Sequence, residues 1–168
     1  MNVRLKYSTY FPAGIFYAGQ YKINQYRVTL HFVTGSLDPE DHNTALERVK
    51  YFIHGCLTDS VFINEENRSQ CELLTAAGIK VVTLPEEPID QVVGMVLYSK
   101  FNAIMEEYMY ATDIEISSDL GDNIAYLHCD DEALGPVADK GWWHESDTSY
   151  CDQKLIVDNK VVAISHTK

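Results

Sequence analysis

Basic residues are scarce in this chain: 13 Lys and Arg stand against 25 Asp and Glu, a formal net charge of −12. So acidic a surface repels nucleic-acid phosphates over most of its area, which argues against DNA or RNA binding unless the basic N-terminal strands form an isolated patch. Long apolar runs are also missing. The longest, such as Val161 to Ile164, cover a few residues, far short of the roughly 20 that a bilayer requires, so no membrane span is expected. The first ten residues alternate like a strand and lack the apolar stretch of a secretory signal, which sets the expected location as cytoplasmic. In that compartment the widely spaced Cys56, Cys71, Cys129 and Cys151 are expected as reduced thiols. There is no Walker-type phosphate loop, no Gly-x-Gly-x-x-Gly and no Gly-x-Ser-x-Gly, so nucleotide hydrolysis and acyl transfer have no support.

What is present is the composition of one globular domain spanning residues 1–168, with 46% hydrophobic and 23% charged residues and no low-complexity linker. Charge is distributed unevenly. Residues 1–30 carry Arg4, Lys6, Lys22 and Arg27 and no acid, whereas residues 113–168 hold twelve acids against four lysines. Residues 130–168 therefore read as an acidic C-terminal extension. Its bland role is solubility; its sharper one is docking on a basic partner.

Val3, Leu5 and Tyr7 alternate with polar residues, as do Tyr26, Val28, Leu30 and Phe32, so two half-buried strands are predicted. Between them, Pro12-Ala13-Gly14 through Gly19 reads as a sizeable loop. Asp38 can cap a helix that opens on Pro39 and runs to about Leu57, burying Leu46, Val49, Phe52 and Ile53 at three- and four-residue steps. Ile79–Leu84 is a short strand. A second long helix opens near Pro88, presents Val92, Val93, Val96, Phe101 and Ile104, and ends near Tyr108. Two further strands, Tyr110–Ser117 and Ile124–Cys129, flank the turn Asp119-Leu120-Gly121-Asp122. Lys154–Ile164 contains a hairpin about Asp158-Asn159. The predicted architecture is α+β: two strands, helix, short strand, helix, two strands in an antiparallel sheet with the helices on one face, and an added C-terminal hairpin. Trp142-Trp143 is read as a core plug under that hairpin.

This order resembles the T-fold of the 6-pyruvoyl and 6-carboxytetrahydropterin synthases over roughly residues 3–129. Thr34 to Glu40 leads into the first helix as in that family. Leu57-Thr58-Asp59-Ser60-Val61-Phe62-Ile63-Asn64 is similar to its Leu-Asp-His segment with the following Leu-Asn. Glu87-Pro88-Ile89-Asp90-Gln91 stands where the family has Asn-Pro-Thr-x-Glu. The resemblance implies a homo-oligomer with ligand pockets between subunits, and a purine- or pterin-like ring held by a carboxylate on the penultimate strand, at Glu115 or the neighbouring Ser117.

The family's zinc chemistry does not carry over. Its three metal histidines fall at or near Phe11, Lys22 and Asn24, residues 12–25 hold no cysteine to act as the family's catalytic thiol, and the family's Asp-His is Asp59-Ser60, leaving Asp59 as the remaining catalytic candidate. No cofactor is expected by the family pattern. Zinc enters only through a different site, for which His128, Cys129, His144 and Cys151 are the candidate ligands, although neighbours His128 and Cys129 should face opposite ways on a regular strand. His31, His42, His54 and His166 read as individual surface or core histidines. The functional expectation is a ring-binding relative of the synthases without their zinc chemistry. Its alternatives are an acidic interaction or inhibitor protein engaging a basic partner, and an active lyase with a rebuilt metal site.

Overall fold

The computed structural model describes residues 3–130, 132–148, 154–157 and 160–163. Its backbone is built on a long antiparallel hairpin, β1 (Arg4–Tyr17) and β2 (Gln20–Thr34), paired without interruption from Arg4↔Val33 to Tyr17↔Gln20. The loop expected at residues 12–19 is instead strand, closed by the two-residue turn Ala18-Gly19 with φ of 51° and 75°. Pro12 is tolerated because its missing N–H faces the side where the next strand has not begun. Two residues on, Gly14 N–H donates to Ser60 O at 2.7 Å, while the Pro12 carbonyl accepts from Asp59 N–H at 2.9 Å.

Asp38 caps α1 (Pro39–Tyr51) by accepting from the Glu40 N–H at 2.9 Å, and a π-helical stretch, Phe52–Leu57, carries the segment to its expected end. The second long helix, labelled α3 below, spans Asp90–Met105 and is shorter than predicted at both ends. Pro88 lies outside it, Ile89 is its N-cap, and Glu106 stops it at a φ of 53°. Both helices lie on one sheet face, where Phe11, Tyr26, Val28, Leu30, Ile114 and Ile116 meet Val49, Phe52, Val93 and Phe101 in one buried cluster.

Two elements had no counterpart in the sequence reading. After the π-helical stretch come β3 (Val61–Asn64) and α2 (Arg68–Ala76), followed by β4 (Val81–Leu84), the strand read at Ile79–Leu84. β3 pairs parallel to both β1 and β4, so the six-stranded sheet is mixed, with order β4-β3-β1-β2-β5-β6, where β5 is Met109–Ser118 and β6 Tyr126–Cys129. The parallel pairs follow from helical crossovers, which return the chain to the same end of the sheet. Strand alternation puts Phe16 and Ile63 on the face opposite the long helices, where Leu74 of α2 joins them in a small second cluster. β7 (Lys154–Val157) and β8 (Lys160–Ala163) form the expected hairpin; its turn, Asp158-Asn159, lies outside the described residues.

The acidic segment before the hairpin packs on the helical layer. Trp143 is buried and donates from Nε1 to Val137 O at 2.9 Å; Trp142 tilts over Phe52 and donates to Thr83 O at 2.8 Å. Beneath them Lys100, 1% exposed, donates from Nζ to the carbonyls of Trp142, Glu145 and Asp147 at 3.2, 2.7 and 2.6 Å. Burial pushes this ammonium down to about 8, opposed by the charges of Asp147 and Glu145. The expectation of reduced thiols is met at Cys71 and corrected at Cys56, which is disulfide-bonded. Cys151 lies outside the described residues.

Candidate functional site

At the turn end of the β1–β2 hairpin, the two strand ends and two segments distant from them in sequence converge on a pocket of about 420 Å³. Ile15 and Tyr17 come from the end of β1, Lys22 and Asn24 from the start of β2, Pro88–Gln91 from the entry to α3, and Ser118, Leu120, Gly121 and Ile124–Tyr126 from the end of β5 and the stretch into β6. The walls are largely apolar. Tyr17, Ile89, Leu120 and Ile124 are large hydrophobic side chains left exposed around the pocket.

Its polar centre is Asp90. The Ser118 Oγ lies 2.8 and 2.9 Å from the two carboxylate oxygens, and one hydroxyl proton can serve only one of them, so acceptor capacity remains. Burial raises the Asp90 pKa above the usual carboxylate range, and the Ser118 hydrogen bond opposes that rise. Gly121 closes over the pair. Its N–H donates to Ser118 Oγ at 3.1 Å, and a Cβ built there would stand 2.3 Å from Asp90 Oδ2, so only glycine admits the carboxylate in this position.

Asn24, 4% exposed, fixes the neighbouring loop through Oδ1, which accepts from the Leu120 N–H at 3.0 Å. Beside it Tyr26 is fully buried, and its hydroxyl has no hydrogen-bond partner among the described residues. Burial raises the phenol above its usual value; Asn24 lies near enough to oppose this, though outside hydrogen-bonding geometry, and the Asp90 charge adds to it. The loop is held from the sheet's other face by Arg27, which donates to Asn123 Oδ1 and, at 3.0 Å, to Asp119 Oδ1.

Of the residues singled out from sequence, Lys22 and Asn24, where the resemblance puts two metal histidines, are brought into this pocket, and Phe11 is buried in the core. Glu115 and Ser117 lie on the opposite face of β5: Glu115 is exposed between Thr29 and Leu127, and the pocket-facing serine is the next residue, Ser118. Asp59 is exposed in a tight turn at a φ of 61°, outside the pocket. Of the alternative metal ligands, the described His128, Cys129 and His144 form no cluster. His128 is buried against Tyr98, His144 Nε2 bonds the Val137 carbonyl at 2.7 Å, and Cys151 lies outside the described residues. Among the described residues no three of His, Cys, Asp and Glu form a metal cluster. Asp90 was quoted from the sequence only inside the segment compared with Asn-Pro-Thr-x-Glu, two residues after Pro88, and was given no role there.

Comparison with solved structures places the architecture. An uncharacterised protein of Wolinella succinogenes superposes with a TM-score of 0.58 at 10% identity, over 78% of this chain and 99% of its own. A catalytic-residue mutant of the Plasmodium vivax 6-pyruvoyltetrahydropterin synthase superposes with a TM-score of 0.50 at 10% identity, over 76% and 97% of the two chains. The fold is a T-fold. At this identity the likeness is one of fold alone. No protein-family description matches the sequence, and no curated protein matches it. The C-terminal hairpin forms a two-stranded sheet separate from the six-stranded one, as expected. No helix among the described residues is long and apolar enough to cross a membrane.

Proposed function

We propose that this T-fold protein binds a planar purine- or pterin-like ring in the pocket between the hairpin tip and the start of α3, without zinc chemistry, and that it works as a homo-oligomer. The observation that carries the reading is a half-buried carboxylate, Asp90, set among apolar walls with acceptor capacity to spare. A carboxylate in such surroundings favours a ligand edge with two N–H donors, because charge-assisted bonds there replace the water it has lost. The apolar walls suit the faces of a ring. Asp90 takes the anchoring role that the resemblance had suggested for Glu115.

Side chains for the family's chemistry are not gathered here: Lys22 and Asn24 occupy the pocket positions in question, and Asp59 is elsewhere. The protein therefore reads as a binder that has lost the lyase reaction. The oligomer is supported by an open sheet whose edge strands, β4 and β6, each have a neighbour on one side only among the described residues.

The test is thermal unfolding of an untagged preparation with a panel of purines and pterins, with metal content and mass measured on the same sample. A bound ring at 100 times its Kd raises stability by roughly 2.7 kcal/mol. Absence of any shift across the panel would reject ring binding. Stoichiometric zinc in a multimer would restore the lyase reading.

A further inference from the structure

The stretch that follows Trp143 is fastened to the helical layer with little apolar burial of its own. Trp143 is buried, but from His144 to Asp147 every side chain is exposed. What holds this stretch is its backbone. The carbonyls of Glu145 and Asp147 turn in to the Lys100 ammonium, which also lies 5.5 Å from the centre of the Phe52 ring and 5.7 Å from that of Trp142. A segment that buries so few side chains opens at low cost compared with the core.

Sulfur stands at its far end. The Cys56 Sγ lies 3.8 Å from the Thr148 carbonyl oxygen, and Cys56 is disulfide-bonded. Cys71 and Cys129 stay reduced, and the fourth cysteine of the sequence, Cys151, follows Thr148 by three residues. The Cys56 side of the bond is the fixed one. Cys56 is 2% exposed in the π-helical stretch, and Lys80 Nζ grips the backbone on both sides of it, donating to Gly55 O at 3.1 Å and Thr58 O at 2.6 Å. When the bond opens, the freedom gained therefore falls to the exposed segment.

We infer that Cys56 is a redox latch: its disulfide holds residues 144–148 over Lys100, and reduction releases them while the sheet and long helices stay folded. The reductant is a dithiol. Because Cys56 is buried, the attacking thiolate takes the other sulfur of the bond, Cys56 leaves as a thiolate and is protonated, and the second thiol resolves the mixed disulfide. Two electrons and two protons pass to the protein as the dithiol becomes a disulfide. In the cytoplasm, the location expected from the sequence, disulfides are mostly transient ones that serve catalysis or sensing. Release bares the Lys100 ammonium beside the Phe52 ring, a cationic, apolar spot on a chain of net charge −12.

Hydrogen exchange read by mass spectrometry on the full chain, air-oxidised and after dithiothreitol, tests this. Peptide mapping of the oxidised protein should pair Cys56 with Cys151 and leave Cys71 and Cys129 open to alkylation. Reduction should speed exchange at residues 144–148 by about tenfold or more, open Lys100 to acetylation, and leave β1, β2 and β5 as protected as before. Reoxidation with diamide should restore protection in the native protein and not in Cys56→Ser; the two native forms decide the matter even where the serine variant fails to fold. Three results overturn the latch: Cys56 found as a thiol in the oxidised sample, exchange at 144–148 unchanged by reduction, or protection lost throughout the sheet, which would make the disulfide a staple of the whole fold. None of these readouts depends on ring binding.

Discussion

The hydroxyl of Ser118 sits 2.8 and 2.9 Å from the two oxygens of Asp90, joining the end of β5 to the first turn of α3 at the base of the pocket. Because burial raises the Asp90 pKa, the folded chain holds this proton more tightly than the unfolded chain. Between the ordinary carboxylate pKa and the raised one, stability from this group falls as pH rises, and at neutral pH the ionised side chain is a net cost. Asp90→Asn should therefore leave the ligand-free protein as stable as the native form or more so, while ring affinity drops about tenfold to a hundredfold. Paired unfolding and binding titrations check this; a less stable Asn variant with intact binding would contradict it. Ring binding by the native protein should weaken as pH is lowered through the raised Asp90 pKa.

Glu115 offers the matching control. It is exposed on the opposite face of β5, so Glu115→Ala should change ring affinity less than twofold, roughly the scatter expected of a surface site. A large loss in titration would return the anchoring role to Glu115.

Gly121→Ala places a methyl group 2.3 Å from Asp90 Oδ2 and 3.1 Å from Ser118 Oγ. The carboxylate has to move, so overpacking should cost about 1 to 3 kcal/mol in denaturant unfolding, and ring binding should be lost with it.

Lys100 ties the acidic segment to α3 through three backbone carbonyls. Lys100→Met removes a donor shared by three carbonyls and should destabilise the fold by about 2 to 4 kcal/mol, with residues 142–147 becoming the first to exchange amide hydrogens. The pH dependence has a definite sign. The folded ammonium titrates near 8, below an ordinary lysine, so above that pH the unfolded chain binds the extra proton and native stability gains relative to the methionine variant as pH rises. A difference between the two proteins that shrinks from pH 8 to 10 would contradict the assignment.

The layers of this fold were legible wherever a segment was long enough to show its period. Asp38-Pro39 marked a helix start, and alternation marked β2 and β5. β3 and α2 were not legible, because four residues and nine residues with Leu74 as the one buried side chain give periodicity too little to work on. Pro12-Ala13-Gly14 looked like a loop because local composition does not reveal which neighbour a missing N–H would have faced. The pocket was not read from the sequence. The resemblance named Lys22 and Asn24 only as positions where metal histidines are missing, and Asp90 and Ser118 acquire meaning only when β5 and α3 are side by side.

The Ala18-Gly19 turn also determines what the pocket is made of. Side chains alternate along β2, so the pairing set by a turn of two residues is what turns Lys22 and Asn24 inward and leaves Ile23, 87% exposed, outside. One residue added at the turn, with the strand sliding to keep its pairing, would exchange the two sets and replace a cation and an amide with Tyr21 and Ile23. The selectivity of the cavity is thus encoded as a length, at a bend that touches no ligand.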